Sequence, residues 1–69
     1  MHELSLATTL IAILEDLIKE HKAKNVKDVF VRVGSFSCVN SDSLRFAFDA
    51  LKKERDTIKA AKLHIREIP

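Results

Sequence analysis

Hydrophobic positions along this chain keep a helical period at first, change to a strand period, and then repeat that sequence. Leu6, Leu10, Ile13, Leu14, Leu17 and Ile18 recur at i, i+4, i+7, i+8, i+11 and i+12, one stripe of an amphipathic helix. Ser5 stands just before that stripe as its N-cap, which leaves the chain start for a short strand. Glu15, Asp16, Lys19 and Glu20 form the opposite face, with Glu15 and Lys19 spaced to pair. Lys19, His21 and Lys22 suit the negative end of the helix dipole. No glycine follows to take a left-handed stop, so Asn25 is the residue expected there.

From about Val26 to Gly34 the period is two. Val29, Val31 and Val33 alternate with Phe30 and Arg32, and the valine face is expected to meet the first helix. Phe30 then lies on the other face, which implies that this face is partly covered by another segment or a partner. Gly34 is the only glycine, and Ser35-Phe36-Ser37-Cys38-Val39 reads as the exit loop. Asn40 or Ser41 caps a second helix with Asp42 in its first turn. Leu44, Ala47, Phe48 and Leu51 make its buried stripe, and Phe46, off the stripe, is expected over a sheet edge or a neighbouring loop. Beyond a polar connection through Arg55, Asp56 and Thr57, residues Lys62 to Ile68 alternate again as a closing strand with Leu63 and Ile65 toward the helices.

The order β-α-β-α-β predicts an α/β two-layer sandwich: one domain over residues 1–69, a three-stranded mixed sheet, and two helices on one face. Such a sheet has two edges, and one is available to another chain, so homodimerisation through an edge is an expectation. A strictly monomeric mass at high concentration would count against it.

Composition narrows the class. With 46% hydrophobic and 32% charged residues the chain reads as an ordinary soluble globule. Its core is small, and a chain this size rarely keeps more than about 3–5 kcal/mol of net stability. The net charge of +2 comes from 12 Lys and Arg among 10 acids, with no Trp, no Tyr and no basic run longer than Lys52-Lys53. Nucleic acid is therefore not an expected partner. A lone cysteine, Cys38, excludes an internal disulfide and any CxxC site in these residues, and a reducing compartment is the simpler expectation. No stretch is apolar and long enough to span a bilayer, and the N-terminus lacks a basic segment before an apolar one; the expected location is the cytoplasm.

The chemistry is concentrated at Met1-His2-Glu3. An α-amine with a pKa near about 7.7–8 and an imidazole near about 6.5 both lose protons around neutrality and become nitrogen donors. Two backbone amides follow the amine, each able to close a small chelate ring. Several nitrogens in a plane suit Ni(II) or Cu(II) better than the tetrahedral Zn(II). Against this stands a plain reading, a solvated chain end with no ligand role. Cys38 reads as a small buried hydrophobe, His21 and His64 as solvated or capping groups, and Lys52, Lys53 and Arg55 as a solvated helix end. No Ser-His-Asp order, paired carboxylates or phosphate-cradling glycine loop supports an enzyme.

Met1-His2-Glu3-Leu4-Ser5-Leu6, Gly34 at the end of the long strand, Phe36-Ser37-Cys38-Val39, Ser43-Leu44-Arg45-Phe46-Ala47-Phe48-Asp49 and Leu63-His64-Ile65 together resemble the HypA/HybF family of hydrogenase maturation nickel chaperones, over the whole chain. The resemblance implies a domain that binds Ni(II) and passes it to the precursor of the [NiFe]-hydrogenase large subunit, with a maturation GTPase as partner and, in some organisms, urease maturation proteins. It implies a metal held by the N-terminal amine, the backbone nitrogens after it and the His2 imidazole, with Glu3 close by; Met1, His2 and Glu3 match residue for residue.

The family continues past the position of Pro69 into a zinc domain with two CxxC pairs and then returns to finish the sheet. The expectation is therefore an isolated nickel-binding domain without structural zinc and with one sheet edge bare. Asn40 stands where the resemblance leads one to expect an acid; an amide brings no negative charge, which limits its tuning of the nickel from behind the ligands. Glycines expected around Lys22 and before Leu63 are absent. A second reading is an interaction module that docks on the GTPase or the hydrogenase precursor with incidental metal binding. The two differ over His2, which only a carrier needs. For a carrier, affinity falls steeply below about pH 6.5, where amine and imidazole hold protons.

Overall fold

The computed structural model describes residues 2–69, which form α1 (His2–His21), β1 (Asp28–Gly34), α2 (Ser41–Lys52) and β2 (Lys62–Ile68). β1 and β2 pair in parallel, from Asp28 opposite Lys62 to Gly34 opposite Ile68, and make a two-stranded sheet. The α/β class and both long strands agree with the periodicities. The short first strand does not: residues 2–5 are the opening turn of α1, Ser5 lies inside the helix rather than capping it, and the described sheet has two parallel strands instead of three mixed ones. The segment joins neither edge of that sheet. As a helix it puts Glu3 at the positive end of the dipole and lets the carboxylate take the backbone N–H of Asn40.

Ala7, Ile11, Val29, Leu44, Phe48, Ile58, Ala61 and Leu63 form the core, with Phe48 and Ile58 fully buried. On α1 four of the six expected residues, Leu6, Leu10, Leu14 and Ile18, pack against the core, but its fully buried members are two others. Ala7 and Ile11 are buried, whereas Ile13 is 51% and Leu17 44% exposed. α2 keeps its expected stripe, with Leu44 and Phe48 buried and Ala47 and Leu51 packed beside them. On β2, Leu63 is buried and Ile65 packs against the core, as the alternation requires.

α1 ends at Lys22, not at Asn25. Lys22 adopts φ 52°, with Ala23 N–H donating to Ile18 O (3.0 Å) and Lys22 N–H to Lys19 O (3.4 Å), the two bonds of a left-handed helix stop. Cys38 also has positive φ (60°) and is exposed, so the expectation of a buried thiol fails. The far end of α2 is more tightly held than a solvated terminus. Lys52 Nζ donates to Ala61 O, pairs with Asp49 at 3.0 Å and lies 5.7 Å from the centroid of the Phe48 ring. Arg55 donates to Leu51 O at 3.0 Å and pairs with Glu15 of α1 at 3.5 Å. Both cations therefore fasten the connection leading to Ile58 and Ala61. No described helix is long and apolar enough to cross a membrane.

Candidate metal centre

His2 and Glu3 occupy the first turn of α1, where backbone N–H groups have no acceptor within the helix. The His2 side chain is 59% exposed and the Glu3 side chain 17%. His2 Nδ1 lies 3.8 Å from Glu3 Oε2. That same oxygen accepts the Asn40 N–H at 3.2 Å, which joins the start of α1 to the start of α2. The Asn40 bond, then Glu3's own backbone N–H and more weakly the neighbouring His2, lower the Glu3 carboxyl below its ordinary value. Glu3 is thus a fixed anion at neutral pH. That matters to a cation, because the helix N-terminus alone is positive and repels one.

The structure brings three of the expected residues together: His2, Glu3 and Asn40. Met1, the fourth, lies outside the described residues. Asn40 takes part through its main chain only, since its Oδ1 accepts Ser43 N–H at 2.9 Å and caps α2. The side chain expected to tune the metal is therefore committed to the helix. His21 ends α1, a helix of 20 residues and so about 30 Å long, away from His2. His64 is on the sheet, bonded to Asp28 at 2.8 Å and stacked on Phe30. Among the described residues no group of three or more His, Cys, Asp and Glu side chains could hold a metal ion.

Sequence reasoning missed one neighbour of this centre. Phe46 is 77% and Leu4 47% exposed, and with Ala47 and Ala50 they line a shallow apolar hollow of 550 Å³ that Glu3 borders. Phe46 covers neither a sheet edge nor a loop. The signal was its place off the α2 stripe, but the partner Leu4 was hidden because residues 2–5 did not read as helix.

The sequence profile described as "Hydrogenase/urease nickel incorporation, metallochaperone, hypA" matches residues 1–69, the whole chain. The chain belongs to the HypA family. Hydrogenase maturation factor HypA of Escherichia coli K12 is 36% identical over 67 residues, 97% of this chain and 57% of that protein. Its counterpart in Campylobacter jejuni is 35% identical over 69 residues, 100% of this chain and 60% of that one. The solution structure of the Ni metallochaperone HypA from Helicobacter pylori superimposes with a TM-score of 0.89 at 29% identity, over 96% of this chain and 56% of that one. The chain thus spans less than two thirds of the HypA proteins it matches, and the fold described above is shared with the corresponding part of the Helicobacter pylori protein. The profile describes a metallochaperone.

Proposed function

We propose that this chain is a nickel-carrying domain of hydrogenase maturation, binding Ni(II) through the Met1 amine, the backbone nitrogens that follow it and the His2 imidazole, with Glu3 beside them. The observation that carries the reading is the first turn of α1. An exposed imidazole and a carboxylate held charged stand together at a helix start, in a chain matched from end to end by the HypA profile. The amides of a first turn donate to no carbonyl of the helix, so their nitrogens can serve a metal without breaking the ladder. Planar nitrogen sets favour Ni(II) over Zn(II). Glu3 offsets part of the repulsion that the helix dipole exerts on a cation.

In this reading nickel is cargo. It passes to the precursor of the [NiFe]-hydrogenase large subunit with a GTPase assisting, and to urease maturation where that enzyme is made, in the cytoplasm. No zinc site is proposed within residues 1–69, which contain one cysteine. The exposed Leu4 and Phe46 favour a second reading, a module that docks on the GTPase or the precursor through this hollow. The decisive experiment is a Ni(II) titration by calorimetry and visible absorption. It compares the untagged chain, with Met1 verified by intact mass, to H2A and to a version carrying Gly-Ser before Met1. The carrier reading expects a square-planar absorption band in the first and loss of binding in both variants. Equal binding in all three, or none in any, refutes it and leaves the docking module.

A further inference from the structure

The face of the sheet turned away from the helices carries chemistry that does not depend on nickel. Alternation and register set its residues: Asp28, Phe30 and Arg32 of β1 stand opposite Lys62, His64 and Arg66 of β2. All six are exposed, while Val29, Val31, Leu63 and Ile65 between them face the core. Arg32, Lys62 and Arg66 are cations, and the one acid, Asp28, is held by His64 Nε2 at 2.8 Å. Between the Phe30–His64 pair and the Arg32–Arg66 pair lies a recess of 330 Å³, with the main chain of Val31 and Ile65 as its floor. Its floor and walls belong to the paired stretch of the two strands, so the recess is made by the ladder itself and uses neither sheet edge.

We propose that this recess binds a phosphate group in its doubly charged form, as inorganic phosphate or a phosphate monoester, held between Arg32 and Arg66. Register places the two arginines directly opposite each other, on neighbouring strands about 4.8 Å apart. Like charges so placed repel, and neither arginine joins an ion pair among the described residues. An anion between them turns that repulsion into charge-assisted contacts, for which the planar guanidinium offers paired N–H groups at the spacing of phosphate oxygens. The opposite wall has the same sign. Phe30 and His64 stack across the strands with centroids 4.7 Å apart and planes at 17°, so ring edges rather than ring faces look along the strands toward the arginines. A ring edge is the positive part of the aromatic quadrupole. That wall stands two residues away, roughly 6.6 Å, which leaves room for a tetrahedral oxyanion. Asp28 is drawn to the His64 side, and no acid lines the recess. Charge decides the class of ligand. A phosphate monoester, at about −1.5 to −2 near neutral pH, balances two guanidinium charges, whereas a single carboxylate balances one.

The test is a titration of the untagged, metal-free chain with inorganic phosphate, phenyl phosphate and benzoate at neutral pH and constant ionic strength, followed by amide NMR shifts and by melting temperature. The phosphates are expected to move the amides of residues 30–32 and 64–66 with a dissociation constant on the order of 1 mM, and to raise the melting temperature by linkage. Benzoate, a monoanion, is expected to bind about tenfold more weakly. R32Q and R66Q are each expected to weaken phosphate binding about tenfold, while the melting temperature without ligand holds or rises because a like-charge pair is gone. K62Q removes a cation from the same face but outside the recess. It is expected to change the affinity less than about twofold, which separates a site from diffuse positive charge. If phenyl phosphate binds more tightly than the free ion, the ligand is a phosphorylated organic molecule; if not, it is inorganic phosphate. Shifts scattered over the whole surface, equal losses in K62Q and R66Q, or benzoate as tight as phosphate overturns the proposal. So does the absence of binding by both phosphates up to the order of 10 mM.

Discussion

Replacing Lys22 with glycine should leave the protein more stable than replacing it with alanine, although nothing packs more tightly as a result. Lys22 holds φ at 52° to close α1. A residue with a Cβ is disfavoured in that region by about 1–2 kcal/mol, a penalty glycine escapes. Against this gain stands the larger freedom of glycine in the unfolded chain, about 0.4–1 kcal/mol. The lysine charge also stands just past the helix C-terminus, where a cation contributes about 0.3–1 kcal/mol. K22A separates these effects, since it removes the charge and keeps the Cβ. The expected order is K22G above K22A by about 1 kcal/mol, with K22A level with wild type or slightly below. For a domain of this size that difference is about 4–8 °C in melting temperature. Urea and thermal denaturation followed by far-ultraviolet circular dichroism measure it, with an unchanged urea slope showing that only stability has moved. If K22G melts at or below K22A, the left-handed stop is not the conformation of Lys22 in solution, and the account of how α1 ends is wrong.

Other substitutions test separate parts of the structure. F48A empties the centre of the core at a cost of about 3–5 kcal/mol, close to all the stability a chain of this size has, so the far-ultraviolet spectrum should be that of an unfolded chain at 25 °C. F46A, at an exposed position, should change stability by no more than about 0.5 kcal/mol. N40A removes the α2 cap and should cost about 1 kcal/mol, yet leave the Glu3 contact intact because that contact uses the main-chain N–H. Nickel affinity would then be nearly unchanged, and a large loss would show that the amide reaches the metal. The lowered Glu3 carboxyl means that this contact stabilises the fold above the ordinary carboxyl value of 4.5 and that its contribution is lost as pH falls through the lower folded-state value. E3Q should flatten that acid limb of the stability curve, and an NMR titration placing Glu3 at or above 4.5 would refute the cause.

Much of this fold was legible because alternation and helical stripes survive into the structure. Val29-Phe30-Val31-Arg32-Val33 and Leu63-His64-Ile65 are strands, and Asn40 caps α2 with Leu44 and Phe48 beneath. The chain start was misread for a reason local patterns cannot supply. The first turn of α1 is tied down by a contact that carries no period, a carboxylate reaching an amide 37 residues away. Ile58 was equally hidden, since a fully buried residue in an irregular turn carries no period. At the candidate site, His2 and Glu3 were legible as a pair of donors. That Asn40 contributes its backbone while its side chain serves the helix was not, because a capping residue and a polar ligand look the same in sequence.

The parallel pairing of β1 with β2 also sets an order of events for the newborn chain. β1 leaves the ribosome before α2 and the whole connection to β2 exist, so Val29, Val31 and Val33 wait with both edges open while residues 35–61 are made. Pairing between segments so far apart forms late and slowly. During that interval the valine strand is the part of the molecule most exposed to capture, whether by a chaperone or by another nascent copy on the same message.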